Sequence, residues 1–298
     1  MPERGKAAPR RLPRTGLCQK SNGSLMSEVA YILGHSQAEM RRLTLQSEIL
    51  KPITDRLLRA AGIKPGMRIL DVGSGAGDVA MLAAELVGPS GTVVGIDRSA
   101  DAVAAARDRA AIGGYANIHF RQSDVEDFAD AMPFDLAIGR YILIHQADPS
   151  AFIGAVASHV KPGGVIAFHE PSISRFDQIF PTVELQRKCL DWIYAAFGSA
   201  GATLDTAENM GRYFETGGLR QPRLFYEILV GSDSKSPILT WLSSTVENLL
   251  PRIEMIGAAT AQQVDMETLE DRLREAVRTA NIQVVSPPQM CGWARRPQ

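Results

Sequence analysis

A chain of 298 residues, 45% hydrophobic and 22% charged with a net charge of −1, has the composition of a globular protein with room for one large α/β domain, alone or embellished. Outside the N-terminus there is no dense basic run. A polyanion such as tRNA or DNA therefore has no electrostatic support, and a small-molecule partner is favoured. No apolar run approaches the ~20 residues that cross a bilayer, and no secretory signal is recognisable. Cys18, Cys189 and Cys291 lack metal-ligand spacing, so the reading is a cytoplasmic protein with reduced thiols, no metal and no membrane insertion.

Residues 1–25 are basic, rich in proline and glycine, and carry Glu3 as their single acid; they read as a disordered tail, with Met26 a candidate start beside Met1. Residues 26–62 are helical in pattern. Leu43, Ile49, Ile53, Leu57 and Ala60 form an apolar side and Arg41, Arg42, Glu48, Asp55 and Arg59 a polar one, with Pro52 expected to divide the segment into two helices.

After a turn at 62–66 comes the run ILDVGSGAGD at residues 69–78, an apolar strand leading into three glycines and then a helix. Glycines in such a turn accept positive φ and let a ligand approach the backbone. The spacing is G-x-G-x-G at Gly73, Gly75 and Gly77, and Asp78 stands where a dinucleotide fingerprint has its third small residue. The strand also ends in an acid, Asp71. A second strand at 92–96 leads to Asp97, 20 positions beyond Gly77, the distance at which an acid reaches a ribose hydroxyl.

On these residues the chain resembles the class I S-adenosylmethionine-dependent methyltransferases, in particular the ubiquinone- and menaquinone-biosynthesis type. The resemblance implies an S-adenosylmethionine site, with S-adenosylhomocysteine as product, formed by Asp71, Gly73, Ser74, Gly75, Gly77, Asp97 and Arg98. It also implies that the N-terminal helices close over the cofactor as a lid, with Tyr31, Arg42 and Gln46 facing it.

An alanine-rich helix at 101–111 and a third strand at 117–121 lead to Asp124 and Val125, similar to the family's adenine-binding segment. A fourth strand at 134–139 ends in Gly139 and Arg140, a helix covers 148–160, and a fifth strand at 165–169 ends in His169 beside Glu170. Strands alternating with helices imply parallel crossovers, with ligands at the carboxyl ends of the strands. Beyond Glu170 the alternation stops. Ile179, Val183, Gln186, Leu190, Ile193 and Phe197 form a helical stripe interrupted only by Gln186, and the region is rich in rings, including Phe176, Trp192, Tyr194, Tyr213 and Phe214. The resemblance implies an inserted lid over the substrate pocket here, while any single ring reads first as core.

A sixth strand is read at 223–230 and a seventh at 282–285 continuing towards Trp293, with helices at 238–250 and 265–280 between them. The expectation is an α/β, Rossmann-like fold: a seven-stranded, mostly parallel sheet with its last strand antiparallel and helices on both faces. An N-terminal helical lid occupies 26–62, the cofactor-binding core 63–171, a helical lid insertion 172–221, and a completing segment with a further helical insertion 222–298. That second insertion serves the substrate site or a homodimer contact.

Methyl transfer is a displacement that alignment and water exclusion accelerate, so no catalytic residue is obligatory. For a hydroxyl acceptor a general base assists. His145 and His169, near the strand ends, are the candidates with Glu170, ahead of His35; His119 and His159 read as structural or solvated. A metal-dependent catechol-type enzyme needs an aspartate after the fourth strand, and a DNA amino-methyltransferase an Asn/Asp-Pro-Pro-aromatic motif; residues 139–142 read Gly, Arg, Tyr, Ile. A metal-independent enzyme acting on a small organic acceptor, in secondary metabolism, is the reading, with transfer to O, N or C open. Alternatives are a nicotinamide-dependent oxidoreductase and a methyltransferase-like scaffold with a regulatory or non-methylating role.

Overall fold

The computed structural model describes residues 37–173 and 180–298, with only the backbone described at 37–40. The tail, the candidate lid residue Tyr31, His35, Phe176 and Ile179 lie outside the described residues.

The first helix, α1 (Gln37–Ala61), runs through Pro52 without a break. This corrects the expected division. Pro52 and Glu48, whose carbonyl loses its helical partner, are both exposed, so water satisfies that carbonyl. Leu50, Ile53, Leu57 and Leu58 on the opposite side are fully buried. At ~1.5–3 kcal/mol per buried side chain these four outweigh the ~3 kcal/mol cost of an internal proline.

Strands β1 (Arg68–Val72), β2 (Thr92–Asp97), β3 (Ile118–Gln122), β4 (Phe134–Arg140) and β5 (Val160–Pro171) alternate with helices α2 (Asp78–Val87), α3 (Ala100–Ile112) and α4 (Pro149–Ser158). Downstream lie α5 (Glu184–Ser199), α6 (Thr206–Thr216), β6 (Arg223–Glu227), β7 (Val230–Gly231), α7 (Pro237–Met255), α8 (Ala261–Val264), α9 (Met266–Ala280), β8 (Val284–Val285) and β9 (Gln289–Arg295). The main sheet has the order β3-β2-β1-β4-β5-β9-β6. Its first five strands are mutually parallel, and β9 is antiparallel to both β5 and β6.

The expected sheet is therefore present, but its closing end differs from the expectation. Residues 284–285 pair with 230–231 in a separate two-stranded ribbon, and the seventh strand of the main sheet begins at Gln289. The prolines at 287 and 288 separate the two, since neither can donate to a ladder.

Three apolar cores result. One face of the sheet packs against α1, α2 and α3 and the other against α4 and α6. A third core is built by α5, α7 and α9 among themselves, using Leu190, Leu239, Val246, Leu269 and Leu273. Within residues 172–221 the two helices thus divide. Met210 and Phe214 of α6 are sheet core, whereas α5 joins the helical layer.

The glycine turn is sterically determined. Gly77 has φ 85, and a Cβ there would lie 2.7 Å from Phe120 Cζ and 3.2 Å from the Ala106 Cβ. Gly77→Ala is accordingly expected to destabilise the chain by about 2–4 kcal/mol, combining left-handed strain with overpacking. Urea unfolding midpoints measure this, and a loss below about 1 kcal/mol would contradict it.

Candidate functional site

The parallel strands end on one edge, where a cavity of about 1200 Å³ opens between the glycine turn, α1, α5 and α7. Ligand pockets are usually ~300–1,000 Å³, so this volume accommodates two small molecules side by side.

Gly73 (φ 68) and Gly75 (φ 51) carry the turn across the mouth of this cavity. Nothing lies within 4 Å of where a Gly75 Cβ would project, so open space abuts the backbone there. The turn is stapled to the second strand in two places: Ser74 N donates to Ile96 O at 2.9 Å, and Gly75 N donates to Asp97 Oδ2 at 2.9 Å. The other Asp97 oxygen accepts from Ser99 N at 2.9 Å, at the start of α3. Asp97 is thereby held rigidly at the strand end with lone pairs left for a ligand. Ser74 Oγ is buried, lines the cavity and has no hydrogen-bond partner among the described residues.

Charge surrounds this half of the cavity. Asp78 in the first turn of α2 pairs with Arg109 at 2.7 Å and lies 3.9 Å from Arg140. Arg140 also donates to Thr54 Oγ1 at 3.5 Å. Arg42 on α1 is buried and donates to Gln46 Oε1 at 2.7 Å, and Arg42, Gln46 and Arg140 all line the cavity. Farther along, Asp124 and Arg98 form a half-exposed pair at 3.6 Å, and Val125 is buried with its carbonyl accepting from His159 Nε2 at 2.8 Å.

His145 closes a 3-10 turn (Leu143–His145) directly after β4 and lines the cavity, its ring 6.2 Å from that of Phe197 on α5. Burial, reinforced by Arg98, pushes its pKa down to about 4, so the ring is neutral at pH 7.

Five of the expected site residues do not line the cavity. His169 is fully buried between α1 and β9, Nδ1 3.0 Å from Thr54 Oγ1 and Nε2 3.0 Å from Gln289 Oε1. Both ring nitrogens are occupied, which corrects its assignment as a base. Glu170, also fully buried, accepts from the backbone N–H groups of Ile142 and Leu143 at 2.9 Å and Ile144 at 3.3 Å. It holds the turn that carries His145 and does not line the cavity. Asp71 sits beneath the glycine turn, 1% exposed, with Oδ2 unpartnered among the described residues; burial above all raises its pKa to about 7. Gly77 faces Phe120, and a Cβ on Gly139 would meet Ile142 at 2.6 Å and Phe168 at 2.8 Å, so both glycines serve packing.

The pKa of His169 is pushed down to about 3, first by burial and then by Arg140. Its folded value lies below the unfolded ~6.5, so its contribution to stability is present above that pH and lost as pH falls towards 3. The stability of the wild-type chain relative to His169→Asn is expected to fall between pH ~6 and ~4 by about 1.4 kcal/mol per pH unit. Urea titrations across that range measure it, and parallel profiles would refute it.

The structure adds residues that the sequence reading passed over: Ser99, Tyr141, Gln146, Trp241, Thr245 and Pro287 all line the cavity. Gln186 does too, and its sequence signal was the single polar interruption of an apolar stripe. Trp241 carried none, because an amphipathic helix looks the same whether its stripe faces a core or a cavity. Among the described residues no group of three His, Cys, Asp or Glu could hold a metal ion, and no helix is long and apolar enough to cross a membrane.

A strand–glycine–helix turn tied to an acid at the next strand end, on a sheet of this order, defines a Rossmann-like ligand site. The chain belongs to the methyltransferase domain family, whose model matches residues 63–218. It is 37% identical to nocamycin O-methyltransferase of Saccharothrix syringae over 42% of this chain and 45% of that one. It is 32% identical to aklanonic acid methyltransferase DauC of Streptomyces sp. strain C5 over 50% of this chain and 68% of that one. The first relatives it matches are thus spanned over less than half their length. The fold is shared with a Haemonchus contortus phosphoethanolamine N-methyltransferase, solved with phosphomonomethylethanolamine and S-adenosylhomocysteine. That likeness has 18% identity and a TM-score of 0.53, over 83% of this chain and 53% of that one.

Proposed function

We propose that the chain is an S-adenosylmethionine-dependent methyltransferase that methylates a hydroxyl oxygen of a small organic acceptor. The observation that carries this reading is the Asp97 fork, one carboxylate tied to both Gly75 N and Ser99 N at the mouth of a cavity large enough for two ligands. The residues fit the cofactor. Asp97 would hold the ribose hydroxyls, the open backbone at Gly75 would admit the chain beyond the ribose, Asp124 and Val125 would hold the base, and Arg42 and Arg140 would hold the carboxylate.

Bound S-adenosylmethionine supplies an electrophilic methyl group. The chain's own part is alignment and exclusion of water, which can account for ~7–11 kcal/mol of the barrier. His145, on the cavity wall and neutral at pH 7, is the candidate to take the proton released by a hydroxyl acceptor, although burial makes it a weak base. The relatives' O-methyltransferase names agree with an oxygen acceptor.

Calorimetric titration with S-adenosylhomocysteine tests the cofactor, with low-micromolar binding expected. No binding at high micromolar concentration, together with thermal protection by NAD(H), would reverse the reading in favour of an oxidoreductase. Binding without transfer of labelled methyl to any metabolite of an extract would favour a non-methylating scaffold.

A further inference from the structure

The cavity is divided by chemistry. Its charged lining residues, among them Arg42, Asp78, Asp97, Asp124 and Arg140, come from α1, the strand-end loops and the first turns of α2 and α3. The wall contributed by α5, α7 and the segment at 285–287 carries none: Leu190, Ile193, Phe197, Ile238 and Leu242 dominate it. His145, packed on Phe197, stands at the seam between the halves.

Two polar atoms in the apolar wall lack a hydrogen-bond partner among the described residues, Gln186 Oε1 and Trp241 Nε1. The two residues are 2% and 7% exposed. Gln186 Nε2 donates to Val285 O at 3.3 Å, which fixes the amide orientation and leaves its oxygen as a pure acceptor. The indole N–H is a pure donor. Buried groups of this kind are almost always paired in a folded protein, so one acceptor and one donor left over on a single cavity wall indicate groups that a ligand satisfies.

We propose that Gln186 and Trp241 are the specificity determinants of an acceptor subsite. The molecule it takes is uncharged and mainly apolar, a ring compound with a hydroxyl that donates to Gln186 Oε1 and a carbonyl that accepts from Trp241 Nε1. The inference rests on the methyltransferase reading of the cavity. A carboxylate, phosphate or ammonium on the acceptor would be stranded against this wall without a counter-charge.

Calorimetric or fluorescence titration of the full chain, with and without S-adenosylhomocysteine, tests this with four naphthalene probes. They are 6-acetyl-2-naphthol, which has both groups, its 2-methyl ether without the donor, 2-naphthol without the carbonyl, and 6-hydroxy-2-naphthoate with a charge. The expected order has 6-acetyl-2-naphthol binding at least tenfold tighter than the carboxylate. Gln186→Leu should weaken 6-acetyl-2-naphthol about five- to tenfold and leave the ether within twofold. Trp241→Phe should weaken it similarly and leave 2-naphthol within twofold. Retained binding of the insensitive probe shows that each variant keeps a folded subsite. The proposal is overturned if the carboxylate binds as tightly, if a replacement shifts all probes alike, or if the wild-type chain binds none. Failure to bind S-adenosylhomocysteine overturns the cofactor reading alone, because the probes are also titrated without it.

Discussion

Asp97→Ala is expected to raise the dissociation constant for S-adenosylhomocysteine about 100-fold. A hydrogen bond to a charged group is worth ~1.5–3 kcal/mol, and loss of the carboxylate removes those to the ribose hydroxyls; ~2.7 kcal/mol is a factor of 100. A second effect adds to the first. Gly75 N and Ser99 N both lose their acceptor, so the glycine turn and the start of α3 are no longer tied together. Asp97→Asn retains one carbonyl oxygen but sets its amide hydrogens against the other N–H, and should fall between wild type and Asp97→Ala. Calorimetry on all three chains, with unfolding curves to check integrity, decides. Affinity within threefold of wild type in a folded Asp97→Ala chain would remove the fork from the site.

The largest effect on stability is expected at Glu170. In Glu170→Ala three N–H groups lose their acceptor at a position closed to water. Each buried unpaired donor costs about 1–3 kcal/mol, and the combined loss should be on the order of 3–5 kcal/mol, since neighbouring losses share relaxation. Glu170→Gln keeps an oxygen for Ile142 and Leu143 and should lose about 1–2 kcal/mol. The pH dependence is diagnostic. Burial raises the Glu170 pKa to about 7 against the bonds from Leu143, Ile142 and Ile144, whereas the unfolded value is near 4.5. A folded value above the unfolded one gives a contribution present below ~4.5 and lost as pH rises through ~7. The Gln variant cannot ionise, so its stability relative to wild type should improve from pH ~5 to ~8. Urea unfolding across that range measures this; a constant difference would show that Glu170 does not change protonation on folding. If the residue positions His145, Glu170→Gln should also lower kcat with little change in affinity for S-adenosylhomocysteine.

The glycine turn and the acid that meets it at the cavity mouth were legible because their signals are local or fixed in spacing. Gly73, Gly75 and the strand before them follow from backbone geometry within a few residues, and Asp97 from the length of one crossover. His169 and Glu170 were misread for a reason the sequence does not contain. They end a strand beside the cavity, but β9, 120 residues downstream of His169 at Gln289, slots in against β5 and encloses them. The uninterrupted α1 has the same kind of origin, since its continuity through Pro52 depends on what Leu50, Ile53, Leu57 and Leu58 pack against.

By itself, then, the sequence determined the alternation of strands and helices, the glycine turn and the acid facing it, because steric and hydrogen-bonding rules act over short stretches of chain. Tertiary structure alone decided which of the strand-end residues reach the cavity. It also placed Gln186 and Trp241, on helices more than fifty residues apart, on the wall of one apolar chamber: such a chamber exists only where distant segments pack without filling the space between them.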